Sequence, residues 1–176
     1  MNYATIKPRD IANGPGVRVS LFVSGCTHRC PGCFNAEAWD FDYGQPFDQS
    51  VIDRILQDLS PAFVKGLTLL GGEPFEPDNQ RSLLPFVRRL RRDLPEKTIW
   101  AYTGRTYEEL LTDGCSHRCE VTDELLSLVD VLVDGRFVQE LKNISLRFRG
   151  SSNQRLIDLR ETRRSGELTL LPERKR

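Results

Sequence analysis

The chain has 176 residues, 39% hydrophobic and 28% charged, enough for one domain with a buried core and too apolar for intrinsic disorder. Its 25 basic and 25 acidic residues leave a formal net charge of zero, which excludes a global electrostatic pull toward nucleic acid or a membrane surface. No apolar run reaches the roughly 18 residues of a membrane span. The N-terminus also lacks the basic-then-apolar layout of a signal peptide, so a cytoplasmic location is expected.

In chain order, Asn13-Gly14-Pro15-Gly16 is turn chemistry and launches a strand over Val17 to Val23. The loop that follows, Cys26-Thr27-His28-Arg29-Cys30-Pro31-Gly32-Cys33, places three thiols within eight residues. A polar and aromatic connection with Trp39, Phe41 and Tyr43 leads to Gln45-Pro46-Phe47. From Asp48, residues Val51, Ile52, Ile55, Leu56 and Leu59 recur at the spacing of one helix face, and Pro61 marks the end. Gly66 to Leu70 reads as a buried strand, followed directly by Gly71-Gly72-Glu73-Pro74. A second helix is expected from about Asn79 or Ser82 to Arg92.

Thr98 to Tyr102 is a third strand, punctuated by Thr103-Gly104, with a short helix near Tyr107 to Leu111. An irregular piece holds Cys115 and Cys119; a helical turn at Asp123 to Leu128 precedes a fourth strand, Val129 to Val133, ended by Asp134-Gly135. Beyond Gly150, Gln154 to Leu159 and Leu168 to Leu171 read as two short strands joined through Arg163-Arg164-Ser165-Gly166. The cluster Arg88, Arg89, Arg91, Arg92 and the tail Glu173-Arg174-Lys175-Arg176 read as a solvated helix face and a chain end, with partner docking as the other reading.

Strands alternating with helices imply βαβ units and a mainly parallel sheet. A complete eight-fold barrel takes about 250 residues, so this α/β chain is expected to form a short open, partial βα barrel or a plain sheet. The expected division is a core domain over 1–154 and a C-terminal extension over 155–176. Parallel strands gather their following loops along one edge, where ligands bind. That edge would bring the cysteine loop, Gly71-Gly72-Glu73, Thr103-Gly104 and Asp134-Gly135 together.

Five cysteines is an odd number, and three are too tightly spaced for an ordinary disulfide framework. In a reducing compartment the triplet reads as metal-binding. Full cysteine ligation of a four-iron cluster takes four thiolates, so a three-thiol loop leaves one iron open. Zinc with His28 as fourth ligand is the competing reading. Cys115 and Cys119, with His117 between them, read as free thiols in a surface insertion, as the missing cluster ligand, or as part of a separate metal site.

Cys26-x3-Cys30-x2-Cys33 together with Gly71-Gly72-Glu73-Pro74 resembles the radical S-adenosylmethionine superfamily. Asn13 to Gly16, Phe22 to Cys26, Cys30 to Cys33, Val131 to Phe137 and Arg149 to Gln154 narrow the resemblance to its glycyl-radical activases, those of anaerobic ribonucleoside-triphosphate reductase. The resemblance implies an oxidoreductase in which Cys26, Cys30 and Cys33 hold a 4Fe-4S cluster whose fourth iron binds S-adenosylmethionine. It implies that Gly32, Cys33 and Phe34 line the adenosyl side and that Gly72 faces the methionine amine. Glu73 either assists there or caps the following helix. One electron would cleave the sulfonium, and the resulting 5′-deoxyadenosyl radical would take a hydrogen atom from a backbone glycine of the reductase. A low-potential donor such as reduced flavodoxin would supply the electron. Three alternatives stand beside this one: an activase for another glycyl-radical protein, a small-molecule radical enzyme such as a deazapurine-forming one, and a non-catalytic electron carrier closed by Cys115 or Cys119.

Overall fold

The computed structural model describes residues 1–172; the charged cluster from Glu173 to Arg176 lies outside them. Strands β1 (Asn2–Asp10) and β2 (Val17–Val23) pair antiparallel around the Asn13–Gly16 turn. Asp10 locks that turn, its carboxylate accepting from Ala12 N at 2.9 Å, Asn13 Nδ2 at 2.6 Å and Ser20 Oγ at 2.6 Å. A two-residue strand β3 (Gln45–Pro46) then pairs with β1.

Helix α1 (Gln49–Leu59) begins where Asp48 accepts from Val51 N at 3.0 Å, and it buries Val51, Ile55, Leu56 and Leu59. Strand β4 (Val64–Gly71) leads to α2 (Pro77–Asp93), which starts earlier than the apolar periodicity suggests. Pro77 occupies the first helical position, where a missing N–H costs nothing. Next come β5 (Thr98–Tyr102), α3 (Tyr107–Leu111), α4 (Thr122–Leu128) and β6 (Val131–Asp134). A reciprocal capping box between Thr106 and Glu109 starts α3.

After an irregular crossing, β7 (Arg155–Asp158) returns antiparallel to β6, and α5 (Leu159–Ser165) follows it directly. The tail differs from the two joined strands expected of it. The link through Arg163 and Arg164 is helical, capped by Asp158 and closed by Gly166 at φ 77°. The expected final strand reduces to one bridge, Ile157 to Leu170.

The strand order is β3-β1-β2-β4-β5-β6-β7. The four central strands, β2, β4, β5 and β6, run parallel, and the flanking pairs are antiparallel. The sheet is open, ending at β3 and β7 among the described residues. On one face Val19, Leu21, Leu67, Leu69, Ile99 and Leu132 pack against the helices, including Ile55, Leu83, Val87 and Leu90. The opposite face of the same strands carries Leu70, Trp100, Tyr102 and Val133, beneath Phe148. β2 is therefore covered on both sides, which is why it reads as a nearly continuous apolar run.

Arg18 is the charged exception within that run. It is fully buried and donates to Thr68 Oγ1 at 2.7 Å, Thr98 Oγ1 at 2.9 Å, Leu67 O at 2.6 Å and Thr98 O at 3.0 Å. Burial pushes its pKa down to about 10. It ties β2, β4 and β5 together at the end of the strands remote from the cysteine loop.

Candidate iron–sulfur site

The parallel run β2-β4-β5-β6 places every following loop on one edge, and one cavity of about 400 Å³ opens there. Cys26, Cys30 and Cys33 line it, with Gly71, Gly72 and Glu73 from the β4 loop, Thr103 and Gly104 from the β5 loop, and Gly135 from the β6 loop. The convergence expected from strand order is present at all four loops. Among the described residues, neither Cys115 nor Cys119 lines this cavity.

Backbone bonds hold the cysteine loop on its edge: Gly25 N donates to Ala38 O at 2.9 Å, Cys26 N to Trp39 O at 3.1 Å and Cys33 N to Cys30 O at 3.1 Å. The β4 loop is zipped to it, with Gly72 N donating to Val23 O at 2.7 Å and Glu73 N to Gly25 O at 2.8 Å. The approach is so close that a Cβ on Gly72 would lie 2.5 Å from Gly25 O, so only glycine fits. At Gly32, φ is 72° and the Gln139 side chain fills the space a Cβ would need. Phe34, 85% exposed, borders the cavity at its mouth.

Glu73 is almost fully buried, and both its oxygens are used within the protein. Oε1 accepts from Phe75 N at 2.8 Å; Oε2 accepts from His28 Nε2 at 2.8 Å, Gly104 N at 2.7 Å and Thr103 Oγ1 at 3.1 Å. The carboxylate thus joins the loops after β2, β4 and β5. Glu76, the residue before α2, does the same for Thr27, accepting from its N and Oγ1 at 2.6 Å each, and from His117 Nε2 at 3.2 Å.

His28 and His117 stack, with ring centroids 4.7 Å apart and planes 14° from parallel. Arg136 donates to His28 Nδ1 at 3.2 Å and Arg105 to His117 Nδ1 at 3.1 Å. A guanidinium only donates, so each Nδ1 accepts and each Nε2 carries the proton handed to its glutamate. The ligand atoms of His28, Glu73 and His117 lie within 4.8 Å of one another. Lone pairs of parallel rings do not converge on one ion, however, and both Nε2 atoms are donors here. The same two engaged nitrogens leave His28 no free ligand atom for zinc.

The donor set presented to the cavity is three soft thiols. Burial, helped by the nearby Glu73 charge, pushes the Cys26 thiol up to about 12, and burial also raises Cys30. These positions hold protons until iron displaces them, as expected for ligands whose deprotonation is coupled to metal uptake. A soft-thiol set of this kind suits an iron–sulfur cluster.

Burial pushes Glu76 up, but hydrogen bonds from His117 and Thr27 outweigh it and bring its pKa down to about 2, from an ordinary 4.5. A depressed carboxylate contributes stability above its unfolded pKa and loses it as pH falls through the folded one. Cluster-free protein should therefore lose stability between about pH 4.5 and pH 2, and Glu76→Gln should remove part of that slope. Denaturant melts across this range check it; an unchanged slope in the variant would refute the assignment.

The triplet, Gly72, Glu73 and the strand-end loops were all legible in the sequence. Glu76, His117, Arg105 and Arg136 were not, because they meet only through tertiary packing. The Gly150–Gln154 segment carried a signal whose mechanism is now visible. Gln154 Oε1 accepts from Gly150 N at 2.8 Å and Ser151 N at 3.1 Å, while Nε2 donates to Gly135 O at 2.9 Å. It closes the irregular β6–β7 crossing over the cavity.

An open α/β sheet that gathers three cysteines around one strand-end cavity defines an iron–sulfur domain, and the family model described as a 4Fe-4S single cluster domain matches residues 12–157. Full-length similarity is more specific. An anaerobic ribonucleoside-triphosphate reductase-activating protein of Pasteurella multocida (strain Pm70) is 47% identical over 156 residues, 88% of this chain and 95% of that protein. Proteins of the same name are 46% identical in Escherichia coli (strain K12), over 91% of this chain and 100% of that protein, and 40% identical in Enterobacteria phage T4, over 89% and 93%. The chain belongs to this family of activating proteins.

Proposed function

We propose that the chain is a radical S-adenosylmethionine activase that installs a glycyl radical in an anaerobic ribonucleoside-triphosphate reductase. The observation that carries this reading is the meeting of Cys26, Cys30 and Cys33 on the cavity that also holds the Gly71-Gly72-Glu73 loop, which neither Cys115 nor Cys119 lines. When bound, the cluster and S-adenosylmethionine together supply the one-electron chemistry that generates a hydrogen-abstracting radical.

The chain's own residues hold and orient. Cys26, Cys30 and Cys33 would hold three irons. Backbone at Gly32, Cys33 and Phe34 would border the adenosyl side, and Gly72 the methionine amine. Glu73 supports that loop from behind through its four bonds to the protein. Leu70, Tyr102, Phe137 and Phe148 wall the cavity and limit water, which protects a radical from quenching.

A polypeptide substrate suits the mouth. The open sheet, read as a partial βα barrel, leaves the strand ends accessible from the side. Phe34, Ile144 and the neighbouring Ile11 are 85%, 87% and 75% exposed there, an apolar rim of the kind that partners cover. The reading also takes a low-potential donor such as reduced flavodoxin and a core domain over 1–154. Among the described residues no helix is long and apolar enough to cross a membrane.

The deciding experiment is anaerobic reconstitution with iron and sulfide, reduction, and assay for 5′-deoxyadenosine from S-adenosylmethionine. Adding the reductase should then yield a glycine-centred spin signal. A faithfully assembled cluster that never cleaves the cofactor would overturn the reading.

A further inference from the structure

The Cys115–Cys119 insertion has no part in the function so far, yet its central residue reaches the cysteine loop. We infer that residues 112–121 form a strap over that loop, and that His117 is its positioning residue, fixing Thr27 and His28 and through them the spacing of Cys26 and Cys30.

His117 is almost fully buried, unlike the two thiols that flank it. Its backbone is anchored from below: Gln80 Nε2 donates to His117 O at 2.5 Å, and Thr122 Oγ1 donates to Gln80 Oε1 at 2.7 Å. Gln80 and Thr122 are both fully buried. Its ring is held from one side by Arg105 and Ser116 Oγ, each 3.1 Å from Nδ1. From that fixed position it acts twice on the loop. One face stacks on His28, and Nε2 donates to the same Glu76 oxygen that takes both Thr27 donors.

The arrangement is a continuous polar chain, Thr122–Gln80–His117–Glu76–Thr27, running from the start of α4 through the α2 N-terminus to the residue between Cys26 and His28. Main-chain bonds hold this loop at Gly25, Cys26 and Cys33, whereas Thr27 N is held by the Glu76 side chain that His117 also contacts. Outer partners of this kind orient ligands and are felt in metal retention. Glu73 and Arg136 bond the two ring nitrogens of His28, Gly104 packs closely against the ring, and His117 stacks on it.

The inference rests on the reading that Cys26, Cys30 and Cys33 hold the cluster, and two measurements separate the two claims. In cluster-free protein, amide hydrogen exchange is followed at Thr27 and, as an internal reference, at Ile99 in β5. His117→Ala should speed exchange at Thr27 at least tenfold relative to Ile99. His117→Phe, which keeps the stacked ring and loses the Nε2 proton, should fall between the two. After reconstitution, His117→Ala should lose iron to a chelator several-fold faster than the unaltered protein.

A purely structural role would speed Thr27 and Ile99 together and leave their ratio unchanged, which overturns the inference. Unaltered Thr27 exchange in a folded variant does the same. Should His117→Ala fail to fold, the same two readouts on His117→Phe decide the matter. If the unaltered protein takes up no iron, the cluster reading fails, and the exchange ratio still decides whether His117 fixes the loop.

Discussion

Replacing Cys26, Cys30 or Cys33 singly with Ser is expected to abolish cluster retention and all S-adenosylmethionine cleavage, while Cys115→Ser with Cys119→Ser leaves both intact. The asymmetry follows from position. The first three thiols line one cavity and the other two do not. With only three protein ligands, losing one leaves two, and a serine hydroxyl is a poor, hard substitute for a soft thiolate on iron. Burying a hydroxyl at Cys26 or Cys30 also costs about 1–3 kcal/mol, so circular dichroism must first confirm the fold. Iron and sulfide per chain after anaerobic reconstitution are the measurement. Full iron in a triplet variant, or loss of the cluster in the Cys115/Cys119 double variant, would transfer the site elsewhere.

Glu73→Ala should be the most damaging substitution to the cluster-free fold outside the hydrophobic core. Four donors converge on this carboxylate, from His28, Phe75, Thr103 and Gly104. Removing it leaves them buried without an acceptor, at about 1–3 kcal/mol for each group that cannot turn to water. A loss of about 2–4 kcal/mol is expected, since one or two of these donors are left unpaired in the interior. Glu73→Gln retains one oxygen and should cost less. Urea unfolding measures both. A Glu73→Ala loss below about 1 kcal/mol would mean that the loops after β2, β4 and β5 hold their places without it, and the account of the site's assembly would fall.

The elements most legible in the sequence were those whose pattern is local. The α1 face from Val51 to Leu59 and the β5 run from Thr98 to Tyr102 appear where periodicity puts them. β1 and β3 were not anticipated, because charged Lys7 and Arg9 flanking Pro8, which has no N–H to donate, mask β1's alternation and two residues of β3 carry no periodicity. The tail was misread for a related reason. In the seven-residue α5 only Leu159 and Thr162 are buried, and so few inward positions do not distinguish a helix from a strand. Nothing in the strand pattern of Val17 to Val23 signals that Arg18 is buried; four acceptors from β4 and β5 allow it.

The same division holds at the site. The triplet and the Gly71-Gly72-Glu73 turn are contiguous, so spacing alone announces three soft ligands and a close backbone approach. The sequence by itself also determined that strands would alternate with helices, and hence that these loops would share an edge. Only the tertiary structure decided which glutamate meets which histidine, that His117 stacks on His28, and that Cys115 and Cys119 stay outside the cavity. Those contacts join residues dozens of positions apart. Their energy comes from desolvated hydrogen bonds that exist only once β4, α2 and the insertion have packed, and no local pattern of residue types encodes such a meeting.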